Sequence, residues 1–423
     1  MTYTNNDNID MSDDSSDDGL YSSGPSYRMT RYTRPLIDYV RNEWQIGTAK
    51  YSHLPTSTST SERPETPRWI QMIVSIVTAP RFRRYVVVYM TLLLSCFVGW
   101  KFILSPRLQE HAALLRSLDP HVKDEVGGWF GSNALPTFDN VVQLRDLDPS
   151  YLPVEKTPDL GQPSQRRLIM IGDVHGCKEE LETLLEQVDF NEDTDHLVFT
   201  GNLIDKGPDS LGVVDLLRKY SASCVRGDRE DRILILRHDL VAASILEDLS
   251  QDNASDFGQD PKGRELARQL SDEQAKWLDT CPVVLNMGQI KNLGQVVVVH
   301  GGLVPGVDLE KQDPFSAMNM VTIDLERHVP STSRAGTHWT KLFNKHQSLL
   351  YSSFKNTVED PKSMTTTVIY GHDSYNSLSL KTYTKGLDTG CVEGGKLTAL
   401  VIADGGEQKV VQVRCNDYSK NWT

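Results

Sequence analysis

Three times between residues 168 and 228, a short apolar run stops at a glycine followed by a polar residue able to bind metal. Leu168-Ile169-Met170-Ile171 ends at Gly172-Asp173, the run 196–200 ends at Gly201-Asn202, and 223–225 leads into Arg226-Gly227-Asp228. Runs this short, closed by turn residues, are the length of buried strands. Between the first two, Leu181, Leu184, Leu185 and Val188 fall at i, i+3, i+4 and i+7, which predicts a helix with one buried stripe. A second helix is predicted after Pro208, a favoured first-turn residue, and a third from about Glu230. Strands alternating with helices predict a parallel sheet covered by helices. Later apolar runs at 296–299, 367–370 and 397–402 are expected to add strands in a second sheet.

Two further motifs follow later runs: His300-Gly301-Gly302 and Gly371-His372-Asp373. In open α/β sheets the carboxyl ends of the strands line the binding crevice. Asp173, His175, Asn202, Asp228, His300 and His372 are therefore expected to converge there. Mixed imidazole and carboxylate ligands suit Zn, Mn or Fe, with Co a substitute in vitro, and suit Ca poorly. Two such ions can clamp a phosphoryl group and activate water. Cys177 follows Gly176 directly and is expected to be a small helix-opening residue with no chemical role.

The ordered set GDVHG, GNLIDKGP, GDRED, HGG and GHD resembles the calcineurin-like phosphoesterase superfamily, whose pattern runs GDxHG, GDxxDRGP, GNHE, HGG or HAG, then GH. The segments YTKGLDTGC and GGKLTALVI look like the branch holding bacterial diadenosine tetraphosphatase and the fungal vacuolar endopolyphosphatases. The resemblance implies a four-layer α-β-β-α metallophosphoesterase sandwich over residues 166–415. It implies that Asp173 and His175 hold one metal, that His300 and His372 help hold another, and that Lys206 contacts substrate phosphate where the family has arginine. Leu387-Asp388-Thr389 would line the cleft floor.

Three positions depart from the pattern. Asn202 stands where the family has a bridging Asp, Asp228 where it has a metal-binding Asn, and Arg229 where it has the His thought to protonate the leaving group. The first two exchange reciprocally and keep the carboxylate count. Asn202 carries no neutralising charge, so dinuclear character should weaken. Arginine stays protonated at any working pH and cannot cycle as an acid or base. General acid–base assistance is worth roughly 10²–10⁴ in rate, but a polyphosphate leaving group is a weak base that needs little protonation. Arg229, Lys206 and Asp173 are thus the candidate catalytic residues. The expected activity is metal-dependent phosphoanhydride hydrolysis, on inorganic polyphosphate or another phosphorylated substrate. The rival is a pseudophosphatase that binds a phosphorylated ligand or partner. Dinucleoside polyphosphate hydrolysis and a serine/threonine-type phosphoprotein phosphatase are further alternatives.

The rest of the chain is organised around residues 85–104, a largely apolar run whose one charge is Lys101. A bilayer core needs roughly 20 such residues in a helix, and Lys101 can snorkel. Arg81, Arg83 and Arg84 precede the run. By the positive-inside rule they predict a type II protein whose C-terminal domain lies across the membrane; with the resemblance, that side is the lumen of a fungal vacuole. Residues 1–67 are rich in Ser, Thr, Asp and Asn and are expected to be disordered; the stretch RYTRPLIDYVRNEW within them is a possible short helix or docking motif. A basic juxtamembrane segment (68–84), a stem (105–165, with a helical HAALLRSL) and a short tail (416–423) complete the organisation. Asn253-Ala254-Ser255 is a glycosylation acceptor. The net charge of −13 argues against a general nucleic-acid binder. The six cysteines form no CxxC pair and indicate neither a zinc finger nor a disulfide scaffold.

Overall fold

The computed structural model describes residues 67–119, 141–153, 166–247 and 260–419. The N-terminal tail with its docking motif, most of the stem and the Asn253 acceptor lie outside the described residues. Among the described residues the first helix, α1 (Arg68–Thr78), is followed by α2 (Pro80–Gly99), a π-helical segment (Trp100–Leu104) and α3 (Ser105–Ser117). The run Pro80–Ser117 is one 38-residue helix, long and apolar enough to cross a membrane by length and composition. At 1.5 Å per residue it measures roughly 57 Å, well beyond a hydrocarbon core of about 30 Å. The helix therefore extends past both ends of the 85–104 span, and the first part of the expected stem is helical. Leu114 and Ser117, at its far end, are buried.

After strand β1 (Leu144–Asp146) come β2 (Arg167–Ile171), α4 (Lys178–Gln187), β3 (Asp195–Phe199), α5 (Ser210–Lys219), β4 (Ser223–Cys224), α6 (Asp228–Glu247), α7 (Pro261–Gln269) and α8 (Asp272–Asp279). The second half holds β5 (Val284–Ile290), β6 (Gly294–Val299), α9 (Pro314–Asn319), β7 (Thr322–Ile323), β8 (Pro330–Ser331), β9 (Thr337–His338), α10 (Trp339–Phe354), β10 (Thr366–Tyr370), β11 (Ser379–Leu380), β12 (Thr384–Gly386), β13 (Lys396–Ile402) and β14 (Gln408–Arg414).

Two large sheets result, ordered β14-β13-β2-β3-β4 and β1-β5-β6-β10-β12-β11. Successive side chains of a strand point to opposite faces, and the burial follows that rule. On β2, Leu168 and Met170 join Val198, Leu400, Val296, Val298 and Ile369 in a core holding residues of both sheets. Ile169 and Ile171 face the other way, onto Leu181, Leu184, Val213 and Leu217 of α4 and α5. On the far side Val297, Val299 and Val368 pack against Trp339, Leu342 and Phe343 of α10. Helix, sheet, sheet and helix are thus stacked as four layers.

The parallel trio β2-β3-β4 is as predicted. The run 397–402 is a strand, but it joins the first sheet, antiparallel to β2 with Ala399 opposite Ile171. Its chemistry suits either sheet; the partner is chosen by a nonlocal register that the run itself does not encode.

The expectation of no disulfide framework is overturned. Cys224 pairs with Cys281 and Cys391 with Cys415, at sequence separations of 57 and 24 residues. Such long separations carry no local signature; the fold brings the partners together. Cys177 is buried, and burial pushes its thiol up to about 12, so it stays protonated and inert.

His196 on β3 offers a pH readout. It is buried, stacks on Tyr151 and lies 2.8 Å from Ser223 Oγ through Nε2. Burial lowers its pKa to about 4. The folded chain then refuses a proton that the unfolded chain takes up near pH 6.5, so stability is full above that pH and falls as pH drops toward 4. Between pH 7 and 5 the loss should reach about 2 kcal/mol. Denaturant titrations of wild type and His196→Gln should differ in pH slope over this window; equal slopes would refute the assignment.

Candidate metal centre

Every site loop leaves the carboxyl end of a strand. Gly172-Asp173 follows β2, Asn202 lies beyond β3, Asp228 beyond β4, His300 follows β6, His372 follows β10 and Asp388 follows β12. The first three strands belong to one sheet and the last three to the other, so the crevice lies where both sheets end. The loops are tight: His175, Asn202, Asp205, Lys206 and His372 all have positive φ, from 50° to 73°. Left-handed backbone at non-glycine residues is costly and clusters at functional sites. At Gly371 even a Cβ would collide with the Asp173 carboxylate.

One residue holds two of these loops together. The buried Glu230 carboxylate accepts N–H bonds from Asn202 and Gly227 through Oε2 (2.8 and 2.9 Å) and from Leu203 and Ile204 through Oε1 (2.8 and 3.2 Å). Burial raises its pKa to about 7 against the pull of those donors. Glu230 was not among the expected site residues. The only sequence signal for it is its place in GDRE, two residues after Asp228.

Asp228, His300 and His372 come together, each offering a ligand atom within 4.8 Å of the others. His300 Nδ1 donates to the Thr200 carbonyl at 2.7 Å, which leaves Nε2 as the lone-pair nitrogen, 3.1 Å from Asp228 Oδ1. Fixing the tautomer through the other ring nitrogen is what metal-ligating histidines require. His372 Nδ1 lies 3.5 Å from the same Asp228 oxygen. Burial pushes the Asp228 carboxyl up, but where the two imidazoles carry protons toward it they outweigh that and hold it well below the usual carboxylate range; a bound ion would take the place of those protons.

Asp173 lies alongside. It accepts the His372 backbone N–H at 3.2 Å and the Asn202 amide at 3.2 Å, and its Oδ2 is 3.9 Å from His175 Nε2. Burial and the nearby Asp388 charge raise its pKa well above the usual value. Burial likewise lifts Asp388 to about 6. His175 is held neutral by burial and by Lys206 and Arg229, and its Nδ1 is a buried atom with no hydrogen-bond partner. Crowded buried carboxylates, neutral imidazoles and an orphaned ring nitrogen are a donor set that a divalent cation fits. Asp228, His300 and His372 would hold one ion, and Asp173 and His175 lie where a second would bind.

The three departures take up definite places. Asn202 bridges, its Nδ2 donating to Asp173 and its Oδ1 accepting the Arg229 backbone N–H at 3.1 Å. One lone pair of that oxygen remains for a cation. The Arg229 guanidinium pairs with Asp205 Oδ2 and Asp228 Oδ2, both at 3.3 Å. It sets a fixed positive charge inside the cluster, on the side of Asp228 away from the two imidazoles. Lys206 is partly buried, close enough to act electrostatically on His175 and Asp388.

His300→Ala should lower Zn or Mn affinity by more than the roughly 10–100-fold lost when a residue that only orients a ligand is removed. Calorimetry on the detergent-solubilised full chain measures this; unchanged affinity would exclude the Asp228–His300–His372 set.

The calcineurin-like phosphoesterase family model matches residues 166–376. Among curated relatives, a protein of Erwinia tasmaniensis named symmetrical bis(5'-nucleosyl)-tetraphosphatase is 35% identical over 144 residues, 33% of this chain and 46% of its own length. This chain thus spans about half of that relative. Proteins of the same name from Nitrosospira multiformis and Janthinobacterium sp. (strain Marseille) are 27% and 28% identical. They cover 58% and 59% of this chain and 94% and 97% of their own lengths.

Proposed function

Because this chain carries a calcineurin-like phosphoesterase domain, we propose that it is a metal-dependent hydrolase of phosphoanhydrides in linear polyphosphate chains. The observation that carries the reading is the Asp228–His300–His372 cluster with the Arg229 guanidinium against it. A divalent ion held there would polarise a phosphoryl oxygen and supply hydroxide. The chain's own residues do the rest. Arg229 offers N–H groups to charge developing on phosphate oxygens but cannot deliver a proton, which restricts the site to leaving groups weakly basic enough to depart unprotonated. A phosphate chain does so; a serine or threonine alkoxide does not. Lys206 adds a second cation at the cleft. Glu230 keeps the loops carrying Asn202 and Asp228 in register, so the ligands are placed before substrate arrives.

Inorganic polyphosphate is the leading substrate, as the resemblance implies. The bacterial relatives' name favours a second reading, in which nucleosides cap the chain. Both present the same internal anhydride. Assays of the full chain in detergent with Zn, Mn or Co, on long-chain polyphosphate and on diadenosine tetraphosphate, separate them. Cleavage of either, abolished by Asp173→Ala, supports the hydrolase. Absence of turnover with every metal leaves a phosphate-binding pseudophosphatase.

Two independent features support a lumenal domain. Disulfides persist in oxidising environments, and the domain holds two. Arg81, Arg83 and Arg84, at the start of α2, favour a cytosolic N-terminus. We place the domain on the lumenal side, the vacuole being the compartment implied by the resemblance. Protease protection in sealed membranes tests this; digestion of the domain from the cytosolic face would refute it.

A further inference from the structure

Outside the metal loops, in a chain of net charge −13, five lysines gather in one neighbourhood. α10 contributes Lys341 and Lys345, one turn apart; the approach to β12 contributes Lys381, β12 itself Lys385, and the turn before β10 Lys362. The group is joined to the metal loops by a chain of hydrogen bonds. Asp373, the residue after His372, lies 3.1 Å from His338 Nε2, which donates to it. His338 Nδ1 then accepts from the Thr340 hydroxyl at 2.8 Å. The same hydroxyl oxygen accepts from Lys381 Nζ at 2.8 Å. Lys385 Nζ donates to the Lys381 carbonyl at 2.6 Å, and Lys362 Nζ sits 3.7 Å above the Tyr383 ring with no hydrogen-bond partner.

Carboxylates neutralise this group only in part. Lys341 pairs with Glu110; Lys345 meets the imidazole of His111 at 3.2 Å; Asp360 is the acidic influence on Lys362. Burial, together with the neighbouring lysines, weakens the hold of Lys381 and Lys362 on their protons, and burial does the same at Lys385. Gathered like charges repel and cost stability, and they are worth keeping where an anion covers them. The Asn344 side chain pins the frame: its amide donates to Thr384 Oγ1 at 2.7 Å and its oxygen accepts the Tyr383 N–H at 3.0 Å, fastening β12 to α10.

We propose that this lysine strip binds the unreacted run of an inorganic polyphosphate chain while one of its anhydrides lies at the metal loops. The strip rests on the phosphoanhydride reading above and adds a length requirement to it. A short anion reaches the metal loops alone; a long one also spans Lys381, Lys341 and Lys345. Chain length, not the reacting bond, then sets affinity.

Binding is measured directly, so the result does not depend on turnover. The full chain in detergent is titrated with tripolyphosphate and with long-chain polyphosphate at several salt concentrations. Wild type should bind the long chain at least about tenfold more tightly, with the steeper salt dependence that more phosphate contacts bring. Lys341→Ala, Lys345→Ala and Lys381→Ala combined should remove that gap and leave tripolyphosphate affinity unchanged. The same three positions changed to Arg should keep it, which separates lost charge from lost fold. A full length preference in the alanine variant overturns the proposal. So does a variant that loses only its binding to anionic phospholipid vesicles, because the strip would then be a headgroup site. If the length preference behaves as expected while no metal supports turnover, the strip stands and the hydrolase reading falls.

Discussion

Asn202→Asp, Asp228→Asn and Arg229→His made together are expected to raise turnover of an alkyl phosphate ester, whose leaving group needs a proton, by roughly 10²–10⁴, the usual worth of general acid–base assistance, and turnover of polyphosphate by far less. The gain comes from Arg229→His, which replaces a permanent cation with a group that can give up a proton. The single changes should not add up to it, because the residues touch. Asn202→Asp alone would exchange the amide donor to Asp173 for another carboxylate, beside one whose pKa burial already raises. Arg229→His alone would leave Asp205 and Asp228 without their guanidinium partner. Steady-state rates for the seven variants at saturating Zn or Mn test this. A triple variant no faster than wild type would show that proton delivery does not limit the site. A silent wild type rescued by the triple change would establish the pseudophosphatase.

Loss of the Cys224–Cys281 bond should cost about 4 kcal/mol, and loss of Cys391–Cys415 about 3, from the chain entropy that each loop withdraws from the unfolded state. For a domain of this size the larger loss lowers Tm by roughly 10 °C. The first bond should also matter locally. Cys224 ends β4, and four residues later the chain supplies Asp228, while the Arg226 N–H between them donates to the Pro282 carbonyl beside Cys281 at 2.8 Å. The Cys224→Ala, Cys281→Ala variant should therefore lose metal affinity as well as stability, whereas Cys391→Ala, Cys415→Ala should lose stability alone. Thermal melts paired with metal titrations check both; equal metal affinity in the two variants would refute the local effect.

Much of the fold was legible because its signals are local. Each glycine-ended apolar run announces a strand and the loop it feeds, and the i, i+3, i+4, i+7 stripe at Leu181 to Val188 announces the covering helix. The candidate ligands were legible for the same reason, since each stands just past such a run. What escaped the sequence is set by partners far along the chain. The run at 397–402 found its neighbour in β2, more than 200 residues earlier. The disulfides join residues with no spacing rule between them. Glu230 was hidden because its role lies in four backbone N–H groups that become its partners only once two loops have folded onto it. The meaning of the three departures was half visible. Arg229 was expected among the catalytic residues, but its grip on Asp205 and Asp228 depends on loop geometry.

That grip has a consequence for how the protein responds to its surroundings. A cation tethered to the backbone cannot be chelated, diluted or exchanged, whereas two free ions are each subject to supply. With Arg229 supplying part of the positive charge permanently, Asp205 and Asp228 stay partly neutralised even when no ion is bound. Such a protein would keep part of its hold on an anionic ligand when metal runs short, though not its turnover.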